Sequence, residues 1–201
     1  MIDRLHAETR ANHADADADV DLLFREHTSV ADYMMFLTRQ YGFEAPLESA
    51  CAMTPNLDLM IELRDRQKAG LLVQDLLALG LRPNDIAQIP QCLRVPQFRG
   101  AAEALGWMYV IERSTLAHSV IRRHLMMRLT KPIRESSSYL QAYTGSVGKR
   151  WRDFGMVLDD VARHPAIAER IVDAANDAFR TQRRWVMHDH RPMHARAAMA
   201  M

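Results

Sequence analysis

A histidine near the N-terminus is placed where a predicted helix could present it to a ligand. Leu5, Thr9 and His13 follow one another at intervals of four residues, so they share one stripe of that helix, and His6 lies on the neighbouring stripe. A neutral imidazole at His13 can bind a metal ion or a heme iron through one nitrogen. Asp17, one turn further on, can accept the proton of the other nitrogen and hold the ring in place. The alternative is a partly exposed surface histidine beside an acidic stretch.

A basic and aromatic segment, GKRWRDF, is the second candidate. Lys149, Arg150 and Arg152 cluster at a predicted helix start, and two aromatic residues of the segment face inward. A basic group beside an aromatic wall suits the carboxylates of an amphipathic ligand. The alternative is a solvated, charged helix face that covers two aromatic residues of the core.

The stretch MYVIERSTLAHSVIRRHL, residues 108–125, is predicted to be a buried helix, yet it places Arg113 and His118 among apolar residues. Ser114 is not predicted to be a nucleophile, because it lacks the strained strand-to-helix turn that exposes one. The chain contains no HExxH, paired Glu-x-x-His or CxxC motif, so a zinc or di-iron site held by protein ligands alone is not predicted.

The elements that must position these side chains are all predicted to be helices. Apolar residues recur at spacings of three and four, and no convincing run alternates with a period of two. Gly42 is expected to end the second helix, and Pro46 to begin a short third one. The result is an all-α bundle of about seven helices. Apart from the short third helix, the helices are expected at about 2–17, 28–41, 63–79, 100–129, 147–163 and 165–189.

Length and composition favour one ordinary globular domain. The chain has 201 residues, of which 48% are hydrophobic and 25% charged, and its net charge is +1 with histidine neutral. This charge balance predicts no nucleic-acid or membrane-surface partner, and no apolar run is long enough to span a bilayer. Two cysteines without a metal or redox pattern, and no secretory signal, indicate a cytoplasmic protein. We expect one domain over residues 1–190 and a frayed tail over 191–201.

Six segments of the chain, taken in order, resemble the heme oxygenases, and specifically the bacterial branch found with bacteriophytochromes. The resemblance extends over residues 3–188. It depends on the order and spacing of the segments rather than on any one of them. The segments are LHAETRANH (5–13), YMMFLTRQYGFEAPLE (33–48), LRDRQKAGLLVQDLLALG (63–80), GWMYVIERSTLAHSVIRRHL (106–125), GKRWRDF (148–154) and AANDAFRTQRRWV (174–186).

The resemblance implies a heme oxygenase-like helical bundle in which heme is both cofactor and substrate. Heme would lie between the first helix and the distal helix, which carries residues 106–125. It would be cleaved oxidatively to biliverdin, carbon monoxide and iron, with electrons from an external donor. A bacteriophytochrome is a further partner that the resemblance implies.

The resemblance also assigns roles to residues. His13, which ends the Leu/Thr/His stripe together with Thr9, matches the proximal ligand of the iron. Residues 113–118 match the distal wall, where Arg113 and Ser114 are candidates for a distal water network. Three basic residues of the GKRWRDF segment are expected to hold the heme propionates: Lys149, Arg150 and Arg152.

The chain departs from the family pattern in the distal wall, where EGSTLGG becomes ERSTLAH, so that Arg113, Ala117 and His118 replace three glycines. Bare glycines let a helix approach a flat cofactor by roughly 3 Å more and allow a kink. Without them we expect a straighter and bulkier wall, with Arg113 and Ala117 one turn apart and directed at the same spot.

Three outcomes remain open for this wall. In the first, Arg113 and His118 fill the pocket, no heme binds, and the chain is an interaction protein that kept the fold. In the second, His118 is a sixth iron ligand and the chain is a non-catalytic binder of heme or another tetrapyrrole. In the third, the helix stands further back, Arg113 hydrogen-bonds a water or oxygen above the heme, and the protein is an enzyme.

Overall fold

The computed structural model describes residues 1–187, apart from the side chains of residues 14–19. The predicted frayed tail and the side chain of Asp17 therefore lie outside the described residues. The described part of the chain folds into helices and turns without a strand, which confirms the predicted all-α class. Within it, no helix is both long and apolar enough to cross a membrane. The helices are α1 (Ile2–Glu8), α2 (Arg10–Asp21), α3 (Val30–Ala52), α4 (Ala69–Ala78), α5 (Pro83–Ala87), α6 (Ala101–Ser114), α7 (His118–Arg128), α8 (Thr130–Glu135), α9 (Val147–Val161) and α10 (Pro165–Met187).

A break at Thr9 divides the predicted first helix into α1 and α2. Thr9 has φ −104° and ψ 3°, which departs from helical geometry. Its hydroxyl donates a hydrogen bond to the carbonyl of Leu5 at 2.7 Å. A threonine hydroxyl that bonds back to the preceding turn competes with the helical backbone pattern and bends the helix. The prediction of one unbroken helix is therefore wrong.

α3 runs through both residues that were expected to interrupt it, Gly42 and Pro46. Pro46 has no N–H to give to the carbonyl of Gly42, but that carbonyl accepts a hydrogen bond from the backbone N–H of Cys92 at 2.8 Å instead. A Cβ at Gly42 would lie 2.5 Å from the Pro90 carbonyl oxygen and 2.5 Å from the Trp185 ring. The glycine is thus required for close packing in the middle of a helix and does not end one.

The starts of two helices depend on polar side chains. Ser29 caps α3, and its hydroxyl accepts a hydrogen bond from a backbone N–H of the first turn. α4 begins only at Ala69, where the Glu48 carboxylate accepts hydrogen bonds from the backbone N–H groups of Lys68 and Ala69 at 2.6 and 3.0 Å. The helix predicted over 63–79 is therefore shorter than expected.

A 3₁₀ turn at Thr115–Ala117 separates α6 from α7, so the distal helix is not continuous. The hydroxyls of Ser114 and Thr115 donate to the carbonyls of Ile111 and Glu112 at 2.8 and 2.7 Å. Such bonds to the preceding turn weaken the regular helical pattern. The prediction of one continuous helix over 100–129 is therefore wrong, because the chain changes to a 3₁₀ turn here even without the three glycines.

Gly106 brings α6 against α10 in the centre of the molecule. A Cβ at this position would lie 2.5 Å from the carbonyl oxygen of Ile171 and 2.6 Å from the Cβ of Ala174. Tyr109 of α6 and Phe179 of α10 are buried in the core that this helix pair forms. α2 packs on α10 as well, and the N-terminal helices face the α6–α7 segment across a cavity.

Candidate functional site

A cavity of about 630 Å³ lies between the N-terminal helices and the α6–α7 segment. Its volume falls within the range of small-molecule and cofactor sites, ~300–1,000 Å³. α1 contributes Ile2, Asp3 and His6 to its lining. Six aromatic side chains make up much of the rest: Phe24, Phe36, Tyr109, Tyr139, Trp151 and Phe179. Such a lining suits a flat, mostly apolar ligand.

Four predicted residues of the distal wall come together in this cavity: Arg113, Ser114, Ala117 and His118. Ala117 is exposed, whereas Arg113 and Ser114 are half-buried and His118 is buried. Because about 630 Å³ remain open beside these side chains, the outcome in which Arg113 and His118 fill the pocket is not supported.

His118 is an uncharged group in the cavity wall. Its ring is 5% exposed and lies 4.6 Å from the ring of Tyr139, centroid to centroid. Burial, and then the charge of Lys68, lower the pKa of His118 to about 3, while a hydrogen bond to the Tyr139 backbone acts weakly in the opposite direction. The imidazole is therefore neutral at pH 7, the form that can bind a metal through a ring nitrogen.

His13 and Thr9 lie behind the cavity surface. Thr9 is fully buried, His13 is 7% exposed, and neither is among the described lining residues. The Nε2 atom of His13 lies 2.9 Å from the Thr9 hydroxyl oxygen. The His13 ring is 4.9 Å from the ring of His6 and 5.4 Å from that of Phe179, both of which line the cavity. The His13 ring therefore lies directly behind two side chains of the cavity lining.

The three basic residues of the GKRWRDF segment are not brought to the cavity. Lys149 pairs with Asp153 at 2.6 Å, and Arg150 pairs with Asp65 at 3.1 Å. Both cations line a separate surface recess of about 340 Å³, while the exposed Arg152 is outside the described lining of either space. The predicted contact with propionates has no counterpart in this arrangement and stays a prediction.

A buried cluster of charged residues, which we call the ion cluster, lies behind the cavity wall. It consists of Glu44, Arg66, Lys68, Glu112, Tyr139 and Tyr143. Arg66 pairs with Glu112 at 2.6 Å, and the Lys68 ammonium lies 3.6 Å from Glu112 and 3.8 Å from Glu44. Burial alone would lower the pKa of Lys68, but the two carboxylates outweigh it and raise that pKa above its usual value.

Tyr139 connects the ion cluster to the cavity. Its hydroxyl donates a hydrogen bond to Glu44 at 2.5 Å, and its ring lines the cavity beside His118. Burial raises the pKa of Glu44 to about 7, against the opposing effects of Lys68 and of the Tyr139 hydroxyl. The second oxygen of Glu44, Oε2, is buried without a hydrogen bond from any described residue.

Sequence analysis did not identify the ion cluster. The available signal was the presence of Glu44 and Glu112 inside otherwise apolar helical stretches, where an unpaired carboxylate would be strongly destabilising. Such a carboxylate requires a buried cation, but its partners Arg66 and Lys68 come from a different segment of the chain. Local periodicity cannot show that pairing.

Comparison with known proteins agrees with this architecture. The heme oxygenase family model matches residues 1–188. A heme oxygenase from Neisseria meningitidis, described in crystal structures of its NO- and CO-bound forms, shares the fold with a TM-score of 0.72 and 24% identity, over 92% of this chain and 88% of that one. No curated protein sequence matches the chain. Because the family model spans nearly the whole chain, this protein belongs to the heme oxygenase family.

Proposed function

We propose that this protein binds heme between α1–α2 and α6–α7 and cleaves it oxidatively to biliverdin, carbon monoxide and iron. The observation that carries the proposal is the cavity of about 630 Å³, with six aromatic rings in its lining, histidines at its α1–α2 side and the distal-wall residues opposite. A flat macrocycle with an iron centre fits these groups. Family membership supplies the reaction class. We further propose an external electron donor, a bacteriophytochrome as partner and a cytoplasmic location.

His13 is the proposed proximal ligand, and the neighbouring Thr9 hydroxyl holds its Nε2 in the heme-free protein. Bound heme supplies the iron at which oxygen is activated. On the distal side Arg113 and Ser114 are the proposed hydrogen-bonding groups toward oxygen and water. The aromatic lining would keep bulk water away from the carbon at which the heme ring is cleaved.

The propionate role of the basic segment requires a rearrangement. Lys149 and Arg150 would have to exchange their present partners, Asp153 and Asp65, for the heme carboxylates. Arg152, the third of these cations, is exposed. We propose that these side chains turn toward the propionates on heme binding, since exposed ion pairs contribute only ~0–1 kcal/mol and are readily exchanged.

Hemin titration followed by turnover tests the function. The wild-type protein is expected to bind one hemin with a Soret band and to form biliverdin and carbon monoxide when a reductant and oxygen are supplied. His13→Ala should lower turnover by at least ~10-fold, because the iron loses the ligand that positions the macrocycle for cleavage. A wild-type protein that stays colourless with hemin contradicts the proposed function, and full turnover in His13→Ala contradicts the ligand assignment.

Non-catalytic heme binding is the second candidate function, and the position of His118 favours it. Its neutral imidazole lies in the cavity wall, and ligation of the iron from there would occupy the oxygen site. This function predicts a low-spin, six-coordinate complex that becomes high-spin in His118→Phe. It also predicts that the wild-type complex forms no biliverdin under the turnover conditions above.

A further inference from the structure

The stripe of α1 that faces the cavity is not the stripe that leads to His13. Ile2 and His6 line the cavity, whereas Leu5 and Thr9 are fully buried and lie outside its described lining. His6 is exposed. The imidazole that α1 presents at the cavity surface is therefore that of His6.

The break at Thr9 brings His6 and His13 together. In a straight helix two residues seven positions apart are separated by about 10 Å along the axis. Here the centroids of the two rings are only 4.9 Å apart. The His13 ring also contacts Phe179, a lining residue on the same side of the cavity. Two imidazoles therefore lie in contact at the edge of the open space.

The imidazoles of His6 and His13 differ in their hydrogen bonds. The Thr9 hydroxyl donates its one proton to the Leu5 carbonyl at 2.7 Å, so its oxygen accepts a hydrogen bond from Nε2 of His13 at 2.9 Å. His13 must break this buried bond before Nε2 can approach an iron. His6 makes its ring contact with His13 and has no hydrogen bond to another described residue.

We propose that His6 is a second axial ligand for the heme iron, on the same side as His13 and interchangeable with it. This inference rests on the proposed heme binding. Only one of the two binds at a time, because both approach the iron from one side. Exchange would form the bond from the iron to a nitrogen of His6 as the bond to His13 breaks, so one imidazole ligand would replace another and the iron would keep its oxidation state.

The experiment compares hemin complexes of the full-length wild-type protein, His6→Ala, His13→Ala, the double variant and His27→Ala. His27 is exposed and outside the described cavity lining, so its replacement is a matched control. Axial ligation is read from the absorption and electron paramagnetic resonance spectra, and affinity from hemin titration. Circular dichroism of each heme-free variant checks that the helices are intact.

Each single variant at position 6 or 13 is expected to keep imidazole ligation, with a rise in Kd below ~10-fold, since the other histidine takes over. The double variant should lose the spectral signature of imidazole ligation and should bind hemin at least ~100-fold more weakly. Added free imidazole should restore the wild-type spectrum. The inference is overturned if His13→Ala removes the imidazole signature while His6→Ala matches the wild type. It is also overturned if the double variant keeps the imidazole signature. Failure of the proposed function looks different, because the wild-type protein would then show no Soret band.

Discussion

At the scale of single residues, His118 changes what the cavity wall presents to a ligand. Its ring covers Tyr139, the residue whose hydroxyl bonds Glu44 at 2.5 Å. A glycine, usual in the family pattern that this segment resembles, would leave more of the Tyr139 ring open to the cavity. The histidine adds a polar group that can accept or donate a hydrogen bond, yet its burial prevents it from adding charge at pH 7.

His118 should make the heme-free protein acid-sensitive. Its pKa is about 3 in the folded state and ~6.5 when unfolded, so the unfolded chain binds one more proton between these values. The contribution of the neutral ring to the free energy of unfolding is fully present above pH ~6.5. It decreases as pH falls toward 3, by up to ~1.4 kcal/mol per pH unit. His118→Phe keeps the ring contact with Tyr139 and should flatten this slope in urea unfolding between pH 6.5 and 4.5. His27→Phe should retain the slope, and equal slopes in all three proteins would contradict the assignment.

The four residues predicted to form the distal wall line one cavity, whereas the basic segment does not lie where the sequence predicted it. The family resemblance assigned Arg113, Ser114, Ala117 and His118 to one wall, and they come together because they lie in one short segment. Lys149 and Arg150 were grouped by the same argument, but their partners decide where they point. Asp153 is four residues from Lys149 and pairs with it on the same helix face. The partner of Arg150, in contrast, is 85 residues away.

At the scale of elements, regular apolar periodicity predicted helix starts well where no long-range contact intervenes. α9 and α10 begin at the predicted residues, Val147 and Pro165. α3 differs because Gly42 and Pro46 are locally strong stop signals, but the backbone N–H of Cys92 compensates for the lost hydrogen bond. That compensation comes from a loop about 50 residues away in the chain, which local patterns do not reveal.

The close pair α6–α10 gives a test of packing between elements. Gly106→Ala gains ~1 kcal/mol of helix propensity, but its methyl group would meet the Ile171 carbonyl at 2.5 Å, a rigid backbone atom. We expect a net loss of ~1–3 kcal/mol in the free energy of unfolding, measured in urea. Gly70→Ala is the control, because nothing lies within 4 Å of its added Cβ, and it should be neutral or slightly stabilising. Equal effects of the two substitutions would mean that α6 and α10 are not in close contact.

At the scale of the whole molecule, the ion cluster joins segments that are distant in the chain and connects two surface features. Glu44 comes from α3, Lys68 from the start of α4, Glu112 from α6, and Tyr139 from the turn before α9. The cluster reaches the recess through Arg66 and the cavity through Tyr139. Its members are buried, so each charge depends on the others for compensation.

Glu112→Gln should therefore destabilise the whole fold rather than one helix. The substitution keeps the shape of the side chain but leaves Arg66 and Lys68, both buried, without their shared carboxylate. We expect a loss of ~3–5 kcal/mol, a large part of a typical total of ~5–15 kcal/mol, measured by urea unfolding at pH 7.

Glu103→Gln is the matched control, because it makes the same chemical change on the same helix and removes only the surface pair with Arg170 at 2.5 Å. It should cost ~1 kcal/mol or less, since exposed ion pairs contribute little. Arg66→Met added to Glu112→Gln should recover part of the loss, because it removes the buried charge whose carboxylate partner is gone, whereas Lys68 keeps Glu44. If Glu112→Gln costs no more than Glu103→Gln, the buried charges do not stabilise the packing of the four segments. The ion cluster then makes no energetic link between the recess and the cavity.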